Sequence, residues 1–94
     1  MPVAEKRCVL NGLTIQSIDD LYSALIMQLK FPPHFGRNLD ALWDVLTTDI
    51  AGPFSIQWQN AHLSRLALGQ DYDRIVRILR DLEKERSDFK LHLS

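Results

Sequence analysis

The sequence predicts a single small α/β domain: a three-stranded parallel sheet packed by three to four helices. Three observations carry that expectation. Short apolar or alternating stretches occur at 7–10, 54–58 and 89–93, each the length of a strand. The longer stretches between them repeat apolar residues at helical spacing. Strands separated by helices must be joined by crossovers, which set neighbouring strands parallel. With 94 residues there is room for one core only, so the domain is expected to span residues 1–94.

Each element has a local cause. RCVL at 7–10 reads as a strand and runs into the turn pair Asn11-Gly12. Such a pair often closes a hairpin, with residues 13–15 as its second arm. Three residues make a poor strand, however, and a helix signal follows at once. Ser17 with Asp20 three residues on has the form of a capping box, Asp standing in for the usual Glu. Ile18, Leu21, Tyr22, Leu25 and Leu29 then keep one buried helix face. Pro32 and Pro33 end that helix, since neither has a backbone N–H and each pushes its predecessor out of the helical region.

Asn38 is the expected N-cap of a second helix. At about 100° per residue, Leu39, Leu42, Leu46 and Ile50 form a core stripe with Trp43 at its edge. Asp40, Asp44, Thr47 and Thr48 fall on the neighbouring face. Gly52-Pro53 stops the helix, and FSIQW at 54–58 alternates as a strand. Residues 60–68 are ambiguous, with one or two short helical turns expected. Gln70 or Asp71 opens a third long helix, with Tyr72, Ile75, Val76, Leu79 and Leu82 inward. FKLHL at 89–93 closes the chain as a strand.

Composition excludes several classes of function. The net charge of −1 argues against general nucleic-acid binding, which needs a basic excess. Cys8 is the only cysteine; it can form no internal disulfide and no zinc site alone, which points to a reducing compartment. It sits in the apolar run CVL, where a small buried hydrophobe is the expected role. The opening MPVAEKRCVL carries charges where a signal peptide needs its apolar stretch, and no run of about 18 apolar residues occurs. A soluble, cytoplasmic protein without membrane contact is expected.

No enzyme motif is present: no glycine-rich phosphate loop, no H-E-x-x-H, no nucleophile elbow. His34, His62 and His92 are scattered, none with a second ligand at metal spacing, so no metal or other cofactor is expected. His62 reads as a surface residue and His92 as lying on the less apolar side of a strand. The third helix carries Arg74, Arg77, Arg80 and Lys84, but Asp73, Asp81, Glu83 and Glu85 interleave with them. Asp73–Arg77 and Arg77–Asp81 stand at i, i+4, the pattern of a solvated, self-paired face rather than a phosphate-binding one.

The Asp40/Asp44 face is harder to read as an ordinary polar surface. Two like charges at i, i+4 cost an isolated helix a few tenths of a kcal/mol, and no Lys or Arg occurs between Asn38 and Ser64 to offset them. Trp43 borders them, and the loop FPPHFG brings His34 and Phe35 beside the helix start. An aromatic beside unpaired carboxylates is how a protein-binding hot spot looks. Four helical residues rise about 6 Å, the order of the charge spacing along a nucleic-acid strand. Such a pair can meet the Arg and Lys side chains of a phosphate-binding cleft.

The run G-x-N-L-D-A-L-W-D-x-L-T at 36–47 closely resembles the signature of the barstar family, intracellular inhibitors of the secreted ribonuclease barnase. V-L-N-G near the start, S-I-x-D-L opening the first helix and the ending L-H-L-S extend the similarity over nearly the whole chain. The resemblance implies a parallel three-stranded sheet, with Asn11-Gly12 leading into the first helix. It implies a one-to-one complex with a barnase-like ribonuclease or related toxin, by a protein that is a monomer when free. By position, Asp44 corresponds to the central carboxylate that occupies a phosphate subsite of the enzyme, and Asp40 to a second acidic contact. Trp43 and Thr47 match contact positions, Asn38 an asparagine at the interface edge, and Asp81 an acidic contact on the third helix. His34 stands where the family prototype has a tyrosine, Thr48 where it has glycine and Asp49 where it has tryptophan. His34 and Thr48 complete the expected partner-binding set.

Two other readings stay open on the residues alone. One is a small hydrolase using Asp40, Asp44 and His34 as acid and base groups; carboxylates on a convex helix face would have no cleft to exclude water. The other is an adaptor or immunity module whose acidic face binds a different basic protein or toxin.

Overall fold

The computed structural model describes residues 5–94. Residues 1–4, which open both the expected domain and the charged N-terminal stretch, lie outside the described residues. The chain runs β1 (Lys6–Asn11), α1 (Ile18–Leu29), α2 (Leu39–Asp44), a π-helical turn (Val45–Asp49), β2 (Phe54–Gln59), α3 (Ala61–Leu68), α4 (Gln70–Glu85) and β3 (Phe89–Leu93). The sheet is three-stranded, in the order β1-β2-β3, and both pairs are parallel. The α/β expectation is thus met, and the ambiguous stretch 60–68 is a helix of eight residues. A radius of gyration of 12.5 Å matches one compact domain of this length, about 12 Å.

The register puts Cys8, Ile56 and Leu91 in one row, and Leu10, Trp58 and Leu93 in the next. These rows, with Phe54 and Phe89, make the apolar face that the helices cover. The alternate positions Arg7, Lys90 and His92 are exposed, so His92 lies on the polar side as its spacing suggests. Burial pushes the Cys8 thiol up to about 12. Cys8 should therefore resist thiol reagents near neutral pH until the chain unfolds; stoichiometric labelling of the native protein, followed by absorbance, would contradict this.

Asn11-Gly12 does not close a hairpin. Gly12 donates its N–H to Gln59 O at 2.8 Å, and a Cβ there would collide with the Asn60 carbonyl. Residues 12–14 form a turn that leads toward α1. Ser17 caps α1, accepting from Asp20 N at 3.1 Å. Asp20 reaches back to Gln16 N at 3.1 Å, one residue beyond the usual partner. The helix stops before the prolines: Lys30 takes a left-handed φ of 54° and its N–H donates to Ile26 O, as does that of Phe31. Pro32 explains the extended preference of Phe31, and the left-handed cap does the rest. The Gly52–Pro53 peptide is cis.

Both sheet edges are blunted by side chains from the helices. On β1, the Gln28 amide donates to Val9 O and accepts from Val9 N, each at 2.8 Å. On β3, Glu83 Oε2 accepts from Leu91 N at 2.9 Å. Open edges invite strand addition, and occupied ones discourage it. Burial raises the Glu83 carboxyl, but the Leu91 amide and the Arg80 guanidinium outweigh it, and the net shift is downward. Asp88, gripped by Arg86, is also held below the usual range. A lowered folded value means that the unfolded chain binds more protons through the transition. The stability these groups contribute is therefore present above the ordinary carboxylate value of about 4 and lost as pH falls through their folded values. The urea midpoint should drop over that window, and Glu83→Gln should flatten the drop; an unchanged slope would refute the assignment.

Candidate functional site

The loop between α1 and α2 fixes where α2 begins. Phe35 packs edge-on against Tyr22 and Phe31, with centroids 5.5 and 5.0 Å apart. Arg37, in the left-handed region at φ 51°, donates to the Asp19 carboxylate, to Asp19 O at 3.0 Å and to Ser23 Oγ at 3.1 Å. The cation nearest in sequence to Asp40 is thus committed to α1. Asn38 is the N-cap, as its position suggests: Oδ1 accepts from Ala41 N at 2.8 Å and Nδ2 donates to Gly36 O at 3.2 Å. His34 is exposed in the same loop.

The regular helix expected over 39–50 is not what forms. After six α-helical residues the chain makes a π turn over Val45–Asp49. A π turn inserts one extra residue, so the spacing of about 100° per residue fails beyond Asp44. Val45, outside the expected stripe, is buried alongside Leu42, Leu46 and Ile50, while Leu39 is only partly covered. The two threonines serve the turn itself. Thr47 Oγ1 donates to Trp43 O at 2.8 Å, and Thr48 Oγ1 to Asp44 O at 2.6 Å. At its far end, Arg86 Nη1 donates to the carbonyls of Leu46 at 2.8 Å and Ile50 at 2.7 Å.

Asp40, Trp43 and Asp44 share one side of α2 with Leu39, and across from them stand Ile78 and Asp81 of α4. Together they line an open groove of about 480 Å³. The expectation of a convex face without a cleft is corrected to that extent, because α4 docks alongside. The pairs Asp73–Arg77 and Arg77–Asp81 do not form either. Arg74 bonds Asp71 at 3.3 Å and Arg80 bonds Glu83 at 2.9 Å, both at i, i+3. Glu83 also accepts from Leu91 N on the β3 edge, which orients it toward the sheet. Asp81 is left on the groove. Among the described residues, Asp40, Asp44 and Asp81 have no ion-pair partner within 4.0 Å. Nor do any three His, Cys, Asp or Glu converge as metal ligands would among the described residues.

Of the candidate residues, Asp40, Trp43, Asp44 and Asp81 meet at the groove. Thr47 is half-buried and Thr48 exposed further along the turn, while His34 and Asn38 flank the helix start. Leu39 and Ile78 as groove lining, and Arg86 as the clamp, escape a reading of the sequence alone. Ile78 had a signal, standing three residues before Asp81 and so on the same helix face. Arg86 had none for this role, since the carbonyls it clamps are 36 and 40 residues away.

No helix among the described residues is long and apolar enough to cross a membrane. The family model described as Barstar (barnase inhibitor) matches residues 5–94. Among curated proteins, the chain is similar to "Putative ribonuclease inhibitor YrdF" of Bacillus subtilis (strain 168). The two are 32% identical over 87 residues, covering 92% of this chain and 96% of that protein. The sheet topology, the Asn38-capped acidic helix and the match over residues 5–94 agree: the chain belongs to the barstar family of ribonuclease inhibitors, and is an inhibitor rather than an enzyme.

Proposed function

We propose that this protein binds a barnase-like ribonuclease one-to-one and plugs its active-site cleft with the α2 face, Asp40 and Asp44 standing in for RNA phosphates. The observation that carries the reading is the groove with three carboxylates and no ion-pair partner among the described residues. Like charges left uncompensated in the free protein become favourable when basic side chains arrive. Asp44 is the central contact, with Asp40 and Asp81 flanking it across Trp43. Thr47, Thr48, Asn38 and His34 extend the contact along the helix and its leading loop. The protein works in the cytoplasm and is monomeric when free.

The test is a titration. Adding the protein to a barnase-like ribonuclease should reduce RNA cleavage linearly to zero at one equivalent. The association rate should fall steeply with added salt, because the acidic face steers encounter with a basic cleft. Inhibition that ignores ionic strength, or needs a large excess, would count against the decoy. A second reading draws on His34, Thr48 and the exposed Asp49, where the residues depart from the family prototype. In that reading the same face serves as immunity against a different basic toxin, and affinity capture that recovers a basic protein without ribonuclease activity would favour it.

A further inference from the structure

We infer that Arg86 is a positioning residue for partner binding: with Asp88 it clamps the end of the π turn and so sets where Asp44, Thr47 and Thr48 stand. The inference rests on the inhibitory reading of the α2 face.

Four hydrogen bonds and one aromatic contact fix the Arg86 guanidinium. Its Nε and Nη2 fork onto Asp88 at 2.9 and 2.8 Å. Its Nη1 spans Leu46 O and Ile50 O, and its Cζ lies 4.8 Å from the Phe54 ring centroid. The side chain is only 15% exposed, against 41% for Asp88. Gly52 lies directly against the pair: a Cβ there would collide with the Asp88 carboxylate and come within 2.9 Å of Arg86 Nη2. Neither Arg86 nor Asp88 lines the groove. Their reach is into the turn that follows Asp44.

A π turn is one residue longer than the α-helical path it replaces, and the surplus residue can migrate unless both ends are held. The near end is held by Thr47 and Thr48 bonding back to the carbonyls of Trp43 and Asp44. The far end is held by Arg86, which supplies charged donors to the two carbonyls there. Without it those carbonyls compete for other donors, and the surplus residue is free to move toward Asp44. Asp40 is insulated from this, because the Asn38 cap fixes the helix start. Arg86 therefore controls the Asp44 half of the face and not the Asp40 half. A lysine cannot replace it, since a single ammonium cannot fork onto Asp88 and bridge two carbonyls together.

The test is a double-mutant cycle read by affinity for the ribonuclease, well below the melting temperature. Arg86→Gln should bind on the order of tenfold more weakly, the size of a lost charge-assisted hydrogen bond. Arg86→Lys should recover little of that loss. In an Asp44→Ala background the Arg86→Gln loss should shrink markedly, whereas in an Asp40→Ala background it should persist in full. A merely structural role would lower the melting temperature and leave the losses additive at both positions; that result overturns the inference, as would wild-type affinity for Arg86→Gln. If Arg86→Gln does not fold, Gly52→Ala and Asp88→Asn disturb the clamp while leaving the Arg86 stem against Phe54, and the same coupling is expected of them. Should the wild-type protein bind no ribonuclease at all, the inhibitory reading fails by itself. Amide chemical shifts of the free Asp88→Asn protein then decide: changes that extend from the neighbourhood of residue 88 into residues 44–50 support the clamp, and an unchanged spectrum over 44–50 refutes it.

Discussion

Asp44→Ala is expected to weaken binding to the cognate ribonuclease by about 2–5 kcal/mol, roughly thirtyfold to several thousandfold. That range is the typical cost of truncating one partner of a buried, hydrogen-bonded charge pair in a protein complex. In the free protein the Asp44 carboxylate is exposed, has no ion-pair partner among the described residues and stands one helical turn from Asp40. Truncating it removes a repulsion of a few tenths of a kcal/mol and no attraction. In the complex it would be desolvated among basic side chains, and truncation would strand those cations without a partner. The mutation should therefore leave stability unchanged or slightly raised while affinity collapses. Asp71→Ala is the control: it breaks a surface pair with Arg74, worth at most about 1 kcal/mol, and should not touch affinity. Calorimetric titration beside thermal denaturation separates the two quantities. Equal affinity of Asp44→Ala and wild type would remove the decoy mechanism.

Trp58→Ala is expected to cost about 3–5 kcal/mol of folding stability, a large share of the roughly 5–15 kcal/mol that holds a domain together. Trp58 sits on the central strand, wholly buried, with its ring edge-on to Tyr72 at 5.3 Å. Its indole N–H donates to Ser64 Oγ at 3.0 Å, and Ser64 in turn donates to Ile15 O at 3.0 Å. This relay ties β2, α3 and the turn before α1 through one fully buried hydroxyl. Ser64→Ala removes the middle of it and orphans a donor and an acceptor, so a loss of about 1–3 kcal/mol is expected there. The two losses should not add, because both break the same relay. Urea unfolding of the single and double variants measures this, and strict additivity would mean the relay contributes nothing as a unit.

The strands, the Ser17 and Asn38 caps and the acidic pair on α2 are all legible in the sequence, and the features that are not have physical causes. Periodicity predicts a regular helix over 39–50 because Leu39, Leu42, Leu46 and Ile50 fit a single stripe. The π turn defeats that pattern while still burying Leu46 and Ile50, and Val45 is the residue the simpler fit leaves out. Likewise Asp73–Arg77 and Arg77–Asp81 follow from spacing alone. Spacing brings charged groups within reach on a helix but does not decide among competing partners. The pairs that form are Arg74–Asp71 and Arg80–Glu83, both at i, i+3, and Asp81 faces the groove unpaired among the described residues.

What the sequence determined by itself is everything that follows from neighbours within about one helical turn: periodicity, caps, chain-breaking prolines, and the lack of any Lys or Arg from Leu39 to Leu63 beside Asp40 and Asp44. Only the tertiary structure decided that α4 lies alongside α2, so that Asp81 and Ile78 complete the groove. It alone also decided that an arginine 40 residues from Leu46 closes the π turn. The reason is the range of the forces that leave a mark on the chain. Local angular preference repeats along the sequence and can be counted, whereas a contact between distant residues depends on how whole elements pack, which no short window records.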